Sequence, residues 1–385
     1  MVKTSEWRRS SIRGAQHDPA FGCDCDCDAS AELILSLCEK RTAALQRNQP
    51  SLDRRRKQAF GTYNDQMTKK KTHHFVHDGY IDAWRTSNRI FAFDLVTQSA
   101  FQPTGRNSVG AIGKFNNFSF DDTVISLLNY TFRDKALRAD AGGIYELMLR
   151  FTNFMKDFDY EHKTENLLED FYGQIETKIG GALSNVFRGE LQIVSKDPEV
   201  FDGLIHLYCL QWMRTPKARR AMANHMVEIF YDDARLSARQ KDEYIKMYLF
   251  ISSLAMTVEI LDKGCVLRLR YARDGEKFVN SDAPVIVSGG SGTSLEDHKG
   301  SIPLSPRLLM EVDSVGLGSK VLACSDIANA EVARQNRRMI TNADRTVYFS
   351  SNNQRAKHLD LMLSQRRQKK TTGPAAPLGA DAGAG

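Results

Sequence analysis

What this chain lacks narrows its class first. No apolar segment follows the basic N-terminus, which predicts that no secretory signal is present. No apolar run is long enough to span a bilayer. The longest, Tyr248 to Leu261, contains Glu259 and falls short of the roughly 20 residues a spanning helix needs. It reads as a buried helix, and no membrane partner is expected. The seven cysteines are odd in number and have no framework spacing, which argues against a disulfide scaffold and for a reducing, cytoplasmic compartment.

A basic body is missing too. The net charge of +6 looks like a nucleic-acid signal until it is placed along the chain. Residues 1–72 and 351–385 hold 20 basic and 11 acidic side chains, an excess of nine, so residues 73–350 are left three charges on the acidic side. Solvated basic flanks hold phosphates loosely, and the clusters Arg54-Arg55-Arg56-Lys57 and Lys69-Lys70-Lys71 read as charged linker. Gly289-Gly290-Ser291-Gly292 lacks the spacing and the lysine of a phosphate-binding loop and reads as a flexible connection.

What is present starts near residue 73. Residues 1–72 predict a mostly disordered basic region with a short helix at Ala31–Gln46. Its alternating Cys23, Cys25 and Cys27 would share a face in an extended chain and could meet a soft metal, but they lack the usual ligand spacing and read as low-complexity sequence. From His73 to Asp94 three histidines and several carboxylates run into the alternating segment Arg89-Ile90-Phe91-Ala92-Phe93, which reads as a strand. Period 3.6 then takes over: helices are expected from Asp121, over Ile144–Phe158, Thr164–Phe187, Glu199–Tyr231 with a break at Pro216, and Ala238–Leu261. Period two returns at Val266–Tyr271, Phe278–Val279, Pro284–Val287 and Leu308–Val312. A helix at Ser325–Thr341, a strand at Thr346–Ser350 and a basic helix at Arg355–Gln368 precede a disordered tail. Strands, then helices, then strands predict an α+β fold: about five helices on a mostly antiparallel sheet built from N- and C-terminal strands, in one domain over 73–350, with 351–385 as basic helix and tail.

The order of short motifs resembles a family catalogued as domain of unknown function 4238. Its His-His-Tyr-Val-Pro-Gln-x-Tyr-Leu-x-x-Phe segment matches His73, His74, Phe75, Val76, Tyr80, Ile81 and Trp84, with His77 in place of proline and Asp78 in place of glutamine. Gln-x-x-Arg-Thr-Pro matches Gln211, Arg214, Thr215 and Pro216. Ser-Asp-x-Pro-Val matches Ser281, Asp282, Pro284 and Val285, and Pro-Leu-Ser-Pro-Arg matches Pro303 to Arg307. An Asn-x(5)-Asn-Ala-x-Arg helix end matches Asn336, Asn342, Ala343 and Arg345. The resemblance implies no activity.

Three chemical readings follow from these residues. A site for a nucleotide or nucleic acid needs His73 or His74, Gln211, Arg214, Asp282, Arg307, Asn336, Asn342 and Arg345 to converge in one pocket. A metal-dependent nuclease would use His74 as base and draw divalent-metal ligands from His74, Asp78, Asp282 or Asn336. A non-catalytic interaction module would leave the same residues as markers of the fold. Arg214 and Asp282 are expected to form a buried ion pair, and Asp282 to bond local amides in a turn.

Overall fold

The computed structural model describes the chain from residue 72 to residue 364, except for internal stretches of which the longest are 137–145, 154–166 and 289–297. The Cys23, Cys25 and Cys27 tract, the two basic clusters, His77 and most of the expected helix at 144–158 lie outside the described residues.

Strand β1 (Thr72–His74) leads into a short helix α1 (Asp78–Ile81) that tightens into a 3-10 turn ending at Trp84. Strands β2 (Phe91–Asp94), β3 (Ser99–Phe101) and β4 (Ala111–Gly113) follow. The helical middle comprises α2 (Asp122–Ala136), α3 (Leu167–Phe187), α4 (Pro198–Met213), α5 (Pro216–Ile229) and α6 (Ala238–Lys263). Strands β5 (Cys265–Ala272), β6 (Asn280–Ser281), β7 (Ile286–Ser288), β8 (Lys299–Ser305), β9 (Leu308–Ser314) and β10 (Lys320–Ile327) come next, then α7 (Asn329–Asn342), β11 (Thr346–Phe349) and α8 (Asn352–Lys357).

Local chemistry sets the helix ends. Asp197 caps α4 by accepting the Glu199 amide at 3.0 Å, with Pro198 at the first helical position, where its missing N–H costs nothing. Ser237 and Gln240 form a reciprocal capping box at the start of α6. Pro216 ends α4 and opens α5, as its position in the sequence predicts, and the Thr215 hydroxyl accepts the Ala218 amide at 3.1 Å. Helix α6 is long and apolar enough to cross a membrane, but 78% of its apolar window is buried inside the fold. It is a core helix.

The strands form two main sheets rather than one. The first, in order β3-β2-β11-β6, is antiparallel throughout and unites N- and C-terminal segments. The second, in order β10-β5-β9-β8-β7, comes wholly from the C-terminal part and is antiparallel except where β10 runs parallel to β5. Strand β10 corrects the helix expected from Ser325: Ser325 to Ile327 are still paired with Arg270 to Ala272, and the helix begins only at Asn329. Strand β5 alternates as a one-face-buried strand should. Cys265, Leu267 and Leu269 face the helices, while Arg268 and Arg270 on the other face pair with Asp313 at 3.0 Å and Glu311 at 3.4 Å.

Helix α4 packs against both α3 and α6. Leu204, Ile205, Leu207, Tyr208 and Phe250 are within 1% of full burial in the main core. Each such side chain contributes about 1.5–3 kcal/mol relative to exposure, so this three-helix contact is a large part of what holds the domain together. A second cluster, including Phe93, Val279, Ile340, Val347 and Phe349, joins α7 to the first sheet.

Candidate functional site

The segment from Lys277 to Val285 is a hub to which distant parts of the chain bond. Tyr80, fully buried, donates its hydroxyl towards Asn280 Oδ1 at 3.0 Å and the Pro303 carbonyl at 2.7 Å. Trp84 packs edge-on against Tyr80 at 5.5 Å and donates Nε1–H to the Phe278 carbonyl at 3.4 Å. Asn336 accepts the Val279 amide at 2.9 Å and donates to the Lys277 carbonyl at 2.8 Å, so both ends of its amide are spent on backbone. Asn342 donates to the carbonyls of Ala283 and Val285, at 2.7 and 2.9 Å.

Asp282 is the anchor of this hub. Its carboxylate accepts three consecutive amides, Asp344 at 2.9 Å, Arg345 at 2.8 Å and Thr346 at 2.9 Å, and its own amide donates to the Thr346 carbonyl at 3.0 Å. It thereby fixes the turn between α7 and β11. Burial, with Asp344 close by, pushes its pKa up to about 6, while the three amide donors pull the other way. Arg345 donates Nε–H to Asp94 at 2.7 Å, and Asp94 in turn accepts the amides of Val96 and Thr97. Ser281 accepts the Ala283 amide at 3.2 Å and lies 3.1 Å from Met339 Sδ.

The second cluster lies between α3, α4, α5 and α6. Arg214, at the C-terminal cap of α4, reaches Glu169 at 3.2 Å and also pairs with Glu176. Its guanidinium carbon lies 4.0 Å over the Tyr172 ring, a cation–π contact. Asn116 donates to the same Glu169 at 2.6 Å. Arg219 lies 4.0 Å over the Phe115 ring and donates to the Phe115 carbonyl at 2.8 Å. Arg219 and Lys246 both lean on Asp242, at 3.6 and 2.7 Å. Burial lowers the pKa of Lys246, and the neighbouring Arg219 lowers it further; Arg219 itself is lowered by burial. Phe115, Asn116, Tyr172, Arg214, Arg219 and Lys246 line a cavity of about 10 Å³, room for about one water-sized group.

The motif residues therefore divide. Asp282, Asn336, Asn342 and Arg345 gather around the hub, where each bonds to backbone or to a partner carboxylate. Arg214 stands in the helical cavity, and the ion pair expected between Arg214 and Asp282 does not form, because Glu169 and Glu176 take the guanidinium. The two places are linked through α5: Lys217 donates to the Asn342 carbonyl at 2.9 Å and to its side-chain oxygen at 2.5 Å, and Arg220 pairs with Asp344. Gln211 is fully buried with neither amide atom hydrogen-bonded. Arg307 is exposed at the β8–β9 turn, its amide donating to Ser305 Oγ. For His73, His74 and Asp78 only the backbone is described; the first two pair in register with Ile112 and Ala111 of β4. Among the described residues no group of three His, Cys, Asp or Glu is placed to hold a metal.

Glu169, Glu176, Arg219 and Lys246 belong to none of the sequence motifs. One signal for the first two was available, since residues seven apart on a helix share a face. Arg219 and Lys246 carry no such mark. Also unforeseen is a trio between α4 and the second sheet: the buried Tyr208 and His298 share a 2.7 Å hydrogen bond, and the half-buried Trp212 stacks on His298 at 5.1 Å.

The geometry defines an α+β domain with a structural hub and a separate cation-lined cavity. The family model for a protein of unknown function (DUF4238) matches residues 72–353, and the chain belongs to that family. No curated protein and no solved structure matches it.

Proposed function

We propose that this domain binds a phosphate-bearing ligand, of the nucleotide or nucleic-acid class, at the cavity between α3, α4, α5 and α6. The observation that carries this reading is that Arg214, Arg219 and Lys246 line one small cavity walled by the Phe115 and Tyr172 rings. Guanidinium groups suit oxyanions through paired donors, and lysine adds a point charge. The depressed pKa values of Arg219 and Lys246 mean that holding both charged in the buried site costs free energy. Asp242 offsets part of that cost, and a bound oxyanion offsets more of it. The cavity admits only a terminal oxygen or a single small group, so the bulk of the ligand lies outside it.

Calorimetric titration of the full chain with AMP, ATP, pyrophosphate and a short oligothymidylate tests this. Affinity is expected to rise with phosphate number, to fall with salt, and to drop at least about tenfold in Lys246→Met, a loss of about 1.4 kcal/mol. Absence of binding at millimolar concentrations of all four would overturn the reading.

A further inference from the structure

Strand β10 forms one edge of the five-stranded sheet, with β5 on its inner side and no strand on its outer side among the described residues. In a parallel pair only alternate residues bond to the neighbour, so a row of β10 N–H and C=O groups faces outward. No described backbone bond outside the β5 ladder uses them. The strand is eight residues long, and Lys320, Val321, Cys324, Ser325 and Asp326 are exposed. Such an edge is a template for a further strand.

We propose that β10 pairs antiparallel with β10 of a second copy of this chain, across a twofold axis at Ala323, so that the two sheets become one. Symmetry narrows the register. A twofold axis perpendicular to the sheet keeps each face on its own side, so only residues of equal parity stand opposite one another. Centring on Ala323 places Lys320 opposite Asp326 at both ends, and Leu322 opposite Cys324 between them. Moving the centre to Cys324 sets Asp326 against Leu322 and leaves Lys320 unmatched. Within one copy Lys320 bonds Asp202 at 2.9 Å and Asp326 pairs with Arg273. Pairing joins these into rows of alternating sign, Asp202, Lys320, Asp326 and Arg273, that cross from one copy to the other. Charges on an exposed edge strand ordinarily deter pairing; here their placement is self-complementary in the one register that pairs every residue from 320 to 326.

Sedimentation equilibrium of the full chain over micromolar concentrations is the first test, with a mass twice the 43.4 kDa of one chain as the expected result. In Leu322→Cys, oxidation should form a disulfide to Cys324 of the other copy, identified by peptide mapping and lost on adding Cys324→Ser. Ala323→Glu places like charges face to face at the axis, while within its own copy the new carboxylate lies beside Arg268. It should weaken the dimer at least about tenfold, a change of about 1.4 kcal/mol, with the melting temperature of the dilute monomer preserved. A monomer throughout the range overturns the proposal, as does a dimer insensitive to Ala323→Glu that gives no such cross-link. Slow amide exchange of the outward β10 groups in a monomer would assign the edge to another segment of the same chain, and would equally overturn it.

Discussion

The carboxylate of Asp282 accepts the backbone amide of Arg345 at 2.8 Å, while the guanidinium of Arg345 turns away to Asp94 at 2.7 Å. The two residues are thus joined through the main chain, with their charged ends apart. The charged ends serve two separate tasks, one closing the turn between α7 and β11 and the other tying that turn to β2.

Replacing Asp282 therefore attacks backbone satisfaction. Asp282→Ala leaves three partly buried amides without this acceptor, and at up to about 1–3 kcal/mol for each orphaned group it should cost about 3 kcal/mol in denaturant unfolding. Asp282→Asn also reports on pH. The folded pKa of about 6 exceeds the ordinary 3.8, so the native state takes up a proton before the unfolded chain does. That contribution is fully present below 3.8 and is lost as pH rises through 6. Because asparagine does not titrate, the stability gap between wild type and Asp282→Asn should widen by about 1 kcal/mol from pH 7.5 to 5.5. A gap constant with pH would refute the assignment.

His206 gives the opposite slope. Burial, aided by Lys178, pulls its pKa down to about 4 from 6.5. The unfolded chain takes the proton first, so stability is lost as pH falls from 6.5 towards 4. His206→Leu should remove this loss and gain about 1–2 kcal/mol on wild type at pH 5 relative to pH 7.5. Paired melts at the two pH values decide it, and the variant also separates this effect from that of Asp282.

Arg214 is buried with two carboxylates upon it. Arg214→Ala strands Glu169 and Glu176 and should destabilise by about 3–5 kcal/mol. Arg214→Lys keeps the charge but loses the fork that reaches both partners and the flat contact with Tyr172. It should recover only part of the loss. Urea unfolding of the two variants checks the order.

Gly300 lies against Tyr208 so closely that a Cβ at this position would fall inside the tyrosine hydroxyl and ring edge. Gly300→Ala should cost at least about 1–3 kcal/mol through overpacking. Tyr208→Phe removes the closest atom, so the alanine should cost less in that background. A double-mutant cycle with no coupling between the two positions would contradict the contact.

Much of the architecture was legible along the chain. Periodicity located helices α2 to α6, Pro216 marked the α4–α5 break, and the alternation of β5 announced its buried and charged faces. Those features are local, because a side chain's spacing on a helix or strand is set by backbone geometry alone. The resemblance also singled out Tyr80, Asp282, Asn336 and Asn342 without revealing that they bond chiefly to backbone up to 223 residues away. A hydrogen-bonding side chain looks the same in sequence whether it will meet a ligand or a main-chain amide.

Tertiary structure alone decided the rest. Strand β10 took Ser325 to Ile327 from the expected helix because β5 offered them a parallel ladder. Arg214 chose Glu169 and Glu176 over Asp282 because the packing of α3 on α4 brought those carboxylates within reach. Arg219 and Lys246 became members of one cavity only when α5 and α6 met over Phe115. The sequence by itself determined which residues could satisfy a buried charge or amide. Which of them did so was decided by distances between segments far apart in the chain, since these interactions act only within a few ångströms.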